Sequence, residues 1–249
     1  MEAASSVTAA VDNGDAVVSS RSDRKRAVIA AAATEAFLTG GYWRTSMDEV
    51  ARLAKVSKQT VYMHFGSKEQ LLSTIVMEIV TTAGDPLVDD LSRLGETVTL
   101  EADLRHHARQ QLAAVLQPRP MQLRRLIIAE SNTFPELARQ FYELGPGRAI
   151  ASLTVAFARL IERGLLNATD PARAATDYNW LVMSDPLNRV MILGDTEAPG
   201  QAAISRWADQ SVDTFLAAYT SSREIRDATR PTVSAVDSGR RPRGSRNVS

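Results

Sequence analysis

The chain has 249 residues, of which 44% are hydrophobic, so it can build one large domain or two smaller ones. It contains no cysteine, which excludes disulfides, thiol redox sensing and cysteine-ligated zinc and fits a reducing cytoplasm. The formal net charge is zero, but residues 21–70 carry nine Lys and Arg against five Asp and Glu, and residues 71–220 carry thirteen against eighteen. A basic N-terminal module on an acidic body is typical of a protein that binds nucleic acid with one part only.

Both ends of the chain are predicted to be disordered tails. Residues 1–20 are rich in Ala, Ser, Asp and Val without a helical period, and residues 221–249 are rich in Arg, Ser, Pro and Gly. The Arg-rich tail is either a solvated segment without function, which its composition favours, or a source of non-specific attraction to phosphates. The N-terminus lacks the pattern of a secretory signal, and apolar stretches such as 71–80 are too short to cross a membrane. We therefore expect a soluble, cytoplasmic protein.

Between the tails, apolar residues recur with a helical period and strand signals are missing, which predicts an all-α fold. The first helix is expected over about residues 22–39, where a pair of glycines ends it. Ser46 and Ser67, each followed three residues later by Glu or Gln, form capping boxes that open the second and fourth helices. Ser57 caps the third helix, which is expected over residues 58–65.

Longer helices are expected over the rest of the chain, interrupted by proline and glycine. One spans about residues 148–163 and the last about residues 201–219, and the apolar stripes on both make them candidates for a dimeric four-helix bundle. Asp170 caps another helix, with proline at its first position. Pro86 is interpreted as a break between helices, and Pro186 is expected to kink or break the helix that it meets.

The helix expected over residues 58–65 has an apolar back and a polar front. Val61 and Phe65 are four residues apart, so they share one face and must pack on the first two helices. A short helix of this kind fits the major groove of DNA, where Gln and Lys read base edges and Thr touches a thymine methyl group or a phosphate. Gln59 and Thr60 are favoured as the base readers. The residues left on the outer face are Lys58, Gln59, Thr60, Met63 and His64.

Two helix N-termini flank this helix and are predicted to hold DNA phosphates. Thr45 and Ser46, at the start of the second helix, offer hydroxyl groups beside free backbone N–H groups. Lys68 lies in the first turn of the fourth helix, where a cation is unfavourable for the helix dipole unless a phosphate lies between them. These positions add expected phosphate contacts to the base-reading face.

This part of the chain resembles the tetracycline-repressor (TetR) family. The matching segments are residues 45–50, the turn at 56–58 and, above all, the run Val-Tyr-Met-His-Phe-Gly-Ser-Lys-Glu-Gln-Leu over residues 61–71. The aromatic residue, His, Phe, Ser, Lys and Glu at these spacings make the match specific. Where the family usually has Gly before the Val of the turn, this chain has Lys55, which indicates either a strained turn or an additional phosphate contact.

The resemblance implies a three-helix helix-turn-helix DNA-binding domain, residues 21–66, and a larger helical domain, residues 67–220, that binds an effector and dimerises. It implies that Tyr62 stacks on the sugar-phosphate backbone, the alternative being that Tyr62 completes the domain core. It also implies that His64 contacts a phosphate, the alternative being a surface histidine without a role. The full set of expected DNA-contacting residues is Thr45, Ser46, Ser57, Lys58, Gln59, Thr60, Tyr62, Met63, His64 and Lys68.

The larger domain also resembles the family, more weakly. Residues 124–130 and 134–138 are similar to one of its C-terminal subtypes. An effector pocket of this family is apolar with a few polar groups, which Asn179 or Tyr178 would supply. Aromatic and methionine side chains at helical spacing are usually core residues, and that is the alternative for each candidate. The expected lining residues are Phe134, Phe157, Tyr178, Asn179 and Met183.

The sequence indicates no catalysis, no cofactor and no metal site. His106 and His107 are adjacent, so on a helix their side chains point about 100° apart and cannot chelate one ion well, and a solvated pair is expected. The Gly-Pro-Gly segment at 145–147 lacks the Lys and Ser or Thr of a phosphate-binding loop, so it is interpreted as a turn. Neither a Ser/His/Asp order nor paired carboxylates point to an enzyme.

The sequence therefore predicts a ligand-responsive transcriptional regulator, with repression as the favoured outcome. It is expected to bind a pseudo-palindromic operator as a homodimer, with half-sites about 34–36 Å apart or more. One alternative is an architectural DNA-binding protein without ligand control, which a missing cavity between the C-terminal helices would favour. The other is an all-α enzyme with a degenerate helix-turn-helix, which would need a cleft with convergent titratable groups.

Overall fold

Ten α-helices form the chain in the computed structural model, which describes residues 14–96 and 99–220. No strand occurs within those residues, in agreement with the predicted all-α fold. A π-helical turn (Glu143–Gly147) and a 3-10 turn (Asp195–Glu197) add to the helices. The helices are α1 (Gly14–Gly40), α2 (Met47–Leu53), α3 (Lys58–Phe65), α4 (Lys68–Leu91), α5 (Leu100–Val115), α6 (Pro118–Glu130), α7 (Pro135–Tyr142), α8 (Arg148–Glu162), α9 (Pro171–Leu193) and α10 (Gln201–Tyr219).

Side-chain caps determine where the helices near the N-terminus begin. The hydroxyl groups of Ser46, Ser57 and Ser67 each accept a hydrogen bond from the backbone N–H three residues later, at 3.1, 3.1 and 3.2 Å. Each bond satisfies one of the donors that a helix N-terminus leaves free. The predicted caps of α2, α3 and α4 are therefore confirmed.

The first helix is longer than predicted. α1 begins at Gly14 rather than near residue 22, so the last seven residues of the tail predicted over residues 1–20 are helical. After Gly14 the sequence has no proline or glycine until the helix ends, so nothing interrupts the helix once it has nucleated. The other parts of the predicted tails, residues 1–13 and 221–249, lie outside the described residues.

The helices containing Pro86 and Pro186 continue through these residues, so the predicted break at Pro86 is wrong. At Pro186 the helix does not break, and the alternative of a kink stays a prediction. A proline inside a helix removes the donor for the carbonyl four residues earlier. For Pro186 that carbonyl belongs to Val182, and the indole N–H of Trp207 on α10 donates to it at 2.9 Å. The neighbouring helix thus replaces the bond that Pro186 cannot make. On either side of Pro86, Val80 and Leu91 of α4 are buried.

The buried apolar side chains form two clusters. The first combines α1–α3 and the first half of α4 with Leu126 and Ile127 of α6, and the second joins the end of α4 to α5 and α8–α10. Met121 of α6 belongs to the second cluster, so α6 lies between the two. The boundary predicted between residues 66 and 67 falls inside the first cluster, because the first turns of α4 help to form that core.

The apolar stripes of α8 and α10 are buried within a single chain. Leu153 and Phe157 of α8, and Val212 and Phe215 of α10, are fully buried against neighbouring helices of the same chain. The prediction that these stripes form a dimer interface is therefore wrong. The period shows that a helix has an apolar face but does not say which neighbour covers it. An open groove remains on the outer side of α9 and α10, lined by Asp177, Trp180, Leu181, Ser184, Thr214, Ala218 and Tyr219.

Two helical segments, 68–91 and 135–162, are long and apolar enough by length and composition to cross a membrane. This corrects the expectation that no apolar stretch is long enough. Polar residues interrupt each apolar run, but the mean hydropathy within each segment stays high. Both segments also supply core residues, among them Ile75 and Phe157. Core helices of soluble proteins meet the same criterion, so the finding is weak evidence for a membrane span.

Candidate nucleic-acid interface and ligand cavity

The α3 helix presents the polar front that its sequence predicts. Val61 and Phe65 are buried against the first core cluster. On the opposite side, Tyr62 is 43% exposed and Met63 is 73% exposed, and Lys58 and Gln59 are exposed as well. The exposure of Tyr62 favours a contact with DNA over a place in the core. Two further candidates, Thr60 and His64, are half-buried.

Hydrogen bonds inside the protein already engage part of this front. The hydroxyl groups of Ser57 and Thr60 lie 2.7 Å apart, and the Thr60 N–H donates to the Ser57 hydroxyl. The Lys58 ammonium donates to a carboxylate oxygen of Asp48 at 2.9 Å. Both members of that ion pair are exposed, so the pair contributes little and can exchange for a phosphate. Gln59 has the least restrained polar side chain of the candidates at the front.

Arg26 of α1 supports α3, a contact that the sequence did not predict. Its guanidinium donates to the backbone carbonyl of His64 at 2.9 Å and lies over the ring of Phe65, 4.6 Å from the centroid. A cation at the C-terminal end of a helix offsets the negative end of the helix dipole. Arg26 lies 38 positions before His64, so no local pattern could have indicated the contact.

The predicted phosphate contact of Thr45 is wrong, because its side chain is buried. Its hydroxyl lies 3.0 Å from the carbonyl oxygens of Ala36 and Gly41, where it ties the turn after α1 to that helix. Ser46 is exposed and caps α2, so it keeps the position predicted for a phosphate contact. Side chains of adjacent residues in an extended segment point in opposite directions, and here Thr45 points inward.

Lys68 has a partner within the protein. Its ammonium lies 4.0 Å from the ring centroid of Tyr42 and 6.0 Å from that of Trp43, and burial lowers its pKa. The ring faces supply the negative potential for which the sequence predicted a phosphate. The hydroxyl of Tyr42 donates to Glu69 at 2.7 Å, which lowers the pKa of that carboxyl group. A phosphate contact of Lys68 therefore stays a prediction, and its unusual place on α4 no longer requires one.

Lys55 adopts a left-handed backbone conformation, with φ at 54°, and is the one non-glycine residue with positive φ among the described residues. It follows the C-cap of α2. The Val56 N–H donates to the Ala51 carbonyl at 3.0 Å and the Lys55 N–H to the Arg52 carbonyl at 3.3 Å. This pair of bonds is a Schellman motif, which glycine usually completes. Of the two interpretations left open for Lys55, the structure thus supports the strained turn.

A cavity opens in the larger domain, surrounded by α4–α9. Its volume open to water is about 100 Å³. Of the predicted lining residues, Asn179 and Met183 line it. Tyr178 and Phe157 are fully buried behind it in the second core cluster. Phe134 packs edge-to-face on Tyr42, at a centroid distance of 4.8 Å, and is not among the residues that line the cavity. These three predictions were wrong, because helical spacing does not distinguish core from cavity.

Three polar side chains on buried helix faces meet at the cavity wall. Gln111 of α5 donates through Nε2 to Oδ1 of Asn179 at 2.8 Å. One turn earlier on α5, His107 is buried, with Nδ1 placed 3.1 Å from the hydroxyl of Tyr178. The predicted solvated pair is therefore wrong for His107, whereas His106 is exposed. Burial, with the neighbouring His106, lowers the pKa of His107 to about 4, so the ring is neutral at physiological pH.

Arg124 of α6 brings a cation to the same cavity. Its guanidinium lies over Phe141, 5.2 Å from the ring centroid, and burial lowers its pKa. Gln111, His107 and Arg124 were not among the predicted lining residues. A signal was present for the first two: they lie four residues apart on the apolar face of α5, among Leu104, Ala108 and Leu112.

Two family models match separate segments of the chain. Residues 29–75 match the family described as bacterial regulatory proteins, tetR family, and residues 102–221 match the AefR-like transcriptional repressor C-terminal domain. A crystal structure of a TetR-family regulator from Mesorhizobium loti MAFF303099 is 38% identical, with a TM-score of 0.75, covering 81% of this chain and 99% of that one. The flavonoid-responsive regulator FrrA is 30% identical, with a TM-score of 0.62, covering 80% and 99%.

The curated relatives are also regulators of transcription. TtgR of Pseudomonas putida is 28% identical over 205 residues, which cover 76% of this chain and 90% of TtgR. Two other relatives match over only 27% and 33% of their own length.

Proposed function

The chain belongs to the TetR family of DNA-binding transcriptional regulators, and on that premise we propose that it is a repressor that releases its operator when a small molecule binds. TetR-family regulators are soluble cytoplasmic proteins that act as dimers, so we propose the same location and assembly for this chain. The match of its second half to an AefR-like repressor domain supports repression. The ligand-responsive name of FrrA supports control by an effector.

For the DNA-reading surface we propose the exposed front of α3 and the cap of α2. Gln59 is the base reader best placed to act, since its side chain is exposed and its neighbours Lys58 and Thr60 are hydrogen-bonded to protein groups. Tyr62 and Met63 extend the same face toward the sugar-phosphate backbone and base methyl groups. The remaining proposed contacts are Ser46, Ser57, His64 and Lys68.

The dimer would be formed through the outer faces of α9 and α10. The groove there contains apolar surface around Trp180, which is 40% exposed, and small side chains at Ser184 and Ala218. Small residues allow helices of two chains to approach closely, and a twofold axis would pair the same surface on both. The two recognition helices would then meet successive major grooves of a pseudo-palindromic site.

The observation that carries the proposal is that α6 touches both the cavity and the DNA-binding core. Arg124 lines the cavity, and Leu126 and Ile127, less than one turn further on, pack into the first core cluster. At the end of the same helix Glu130 accepts a hydrogen bond from the indole N–H of Trp43, at 2.9 Å. A ligand that prefers one position of α6 therefore changes the placement of the turn before α2. To switch the dimer, this preference must be on the order of 10²-fold or more.

A gel-shift titration tests the proposal, with the purified protein, its own upstream DNA and unrelated DNA of equal length at two salt concentrations. We expect Gln59→Ala to reduce discrimination between the two DNAs, because a base reader is lost. Lys58→Ala should weaken binding to both and lower the slope of log K against log salt by about one. Arg139→Ala removes the same charge from an exposed site on α7 and should change neither. Equal effects of Gln59→Ala and Lys58→Ala on both DNAs would contradict these roles.

A further inference from the structure

Gln111 has a buried carbonyl oxygen without a hydrogen-bond partner among the described residues. Its side chain is 3% exposed and lines the cavity, and its Nε2 already donates to Asn179. Rotating the Gln111 amide by 180° would place its oxygen against Oδ1 of Asn179, an acceptor, and lose the existing bond. Buried polar atoms are nearly always hydrogen-bonded, and exceptions indicate a missing partner. The oxygen itself has essentially no accessible surface, so a donor that enters the cavity reaches it when the Gln111 side chain turns into the cavity that it lines.

The position of the single ring proton of neutral His107 leaves a hydrogen-bond acceptor on this wall of the cavity. The hydroxyl of Tyr178 donates its single proton to the Leu104 carbonyl at 2.9 Å, so it must accept the bond from Nδ1–H of His107. In the neutral ring Nε2 then carries no proton. Since His107 and Gln111 are four residues apart on α5, their two acceptors lie on one helix face.

The cavity also contains a cation that lacks a counterion. Among the described residues no carboxylate lies within ion-pair distance of Arg124, and none lines the cavity. The other lining cation, Arg148, is paired with Asp85 at 2.6 Å. Within residues 14–96 and 99–220, Arg124 has only the ring of Phe141 as a partner. A desolvated guanidinium is stabilised far better by an anion in hydrogen-bond contact.

We propose that the cavity binds a small organic anion with an apolar ring system, whose acidic group pairs with Arg124 and whose hydroxyl group donates to Gln111. This identification rests on the proposed ligand-controlled function and specifies its effector class. The remaining lining is apolar, with Ile79, Leu87, Leu123 and Met183 among its side chains. One water needs about 10–15 Å³, so a volume of about 100 Å³ suits one or two fused rings.

Isothermal titration calorimetry without DNA tests the proposal with three matched probes: 6-hydroxy-2-naphthoate, 2-naphthoate, which lacks the hydroxyl, and 2-naphthol, which lacks the carboxylate. We expect 6-hydroxy-2-naphthoate to bind tightest. Removal of either group should weaken binding roughly tenfold or more, since each loses a hydrogen bond to a desolvated partner. Binding of 2-naphthol as tight as that of 6-hydroxy-2-naphthoate, or no binding of any probe, would overturn the proposal.

Two variants assign the contacts. Arg124→Gln should weaken the binding of both carboxylate probes roughly tenfold or more. It should leave the binding of 2-naphthol unchanged, which also shows that the cavity is intact. Gln111→Met should weaken the binding of the two probes that carry a hydroxyl group and leave the binding of 2-naphthoate unchanged. Arg139→Gln, an exposed charge on α7, should match the wild type with all three. If Arg124→Gln bound the carboxylate probes as tightly as the wild type does, the assignment of the acidic group to Arg124 would be refuted.

A gel shift with the same probes separates this proposal from the proposed function. If 6-hydroxy-2-naphthoate binds as expected but leaves the operator complex intact, the ligand class stands and ligand-controlled repression fails. If 2-naphthol alone releases the operator, repression stands and the ligand class fails.

Discussion

The strained turn at Lys55 gives a prediction that connects stability with DNA binding. In the Schellman motif at the end of α2, Lys55 has φ at 54°, a conformation that costs a residue with a Cβ atom roughly 1–2 kcal/mol. Glycine removes this cost but adds about 0.4–1 kcal/mol of conformational entropy to the unfolded chain. The expected result for Lys55→Gly is a net stabilisation of about 0.5–1 kcal/mol.

Thermal unfolding followed by circular dichroism measures this effect. For a chain of this size, a stabilisation of that magnitude raises Tm by about 1–4 °C. Lys55→Ala is the matched control, because it removes the same charge and keeps the Cβ atom in the left-handed conformation. We expect Lys55→Ala to melt near the wild type. If Lys55→Gly melts at or below Lys55→Ala, the strain argument is refuted.

The same two variants decide the other interpretation of Lys55. Its side chain is exposed on the turn before α3, so a phosphate contact there would be lost in both variants. The slope of log K against log salt for DNA binding would then fall by about one in each. A strained backbone by itself makes no phosphate contact, so the strained-turn interpretation predicts an unchanged slope. The change in Tm thus reports on the backbone of Lys55, and the change in salt dependence reports on its side chain.

Two further predictions concern the larger domain. Trp207→Phe should destabilise the protein by about 1–3 kcal/mol in urea unfolding, because the Val182 carbonyl loses its donor. In a Pro186→Ala background the restored backbone N–H should reduce that cost by about 1 kcal/mol, and strictly additive effects would refute the compensation. The pKa of His107 is about 4 in the folded chain, below its unfolded value of about 6.5, so the unfolded state takes up the proton first and stability falls as pH drops from about 6.5 to 4. The loss should reach up to about 3 kcal/mol, and a His107→Gln variant with the wild-type pH dependence of unfolding would rule this source out.

The sequence by itself determined the features that depend on nearby residues. Ser46, Ser57 and Ser67 begin their helices because each cap bonds an N–H only three residues away. The buried back of α3 followed from the spacing of Val61 and Phe65, since a helix turns about 100° per residue. The family resemblance came from the same contiguous stretch. All of these signals lie within a few turns of helix.

The tertiary structure alone decided which of several compatible positions each side chain takes. Thr45 is a plausible phosphate contact in the sequence, and only the approach of α1 turns its hydroxyl inward. Pro186 breaks a helix unless a donor from elsewhere reaches Val182, and that donor is 25 positions away on α10. Core and cavity residues share one helical period, so Phe157 was assigned to the cavity and Gln111 was overlooked. The crossing of α4–α9 leaves a gap beside Gln111 and Arg124, and no local pattern encodes where helices distant in sequence fail to fill space.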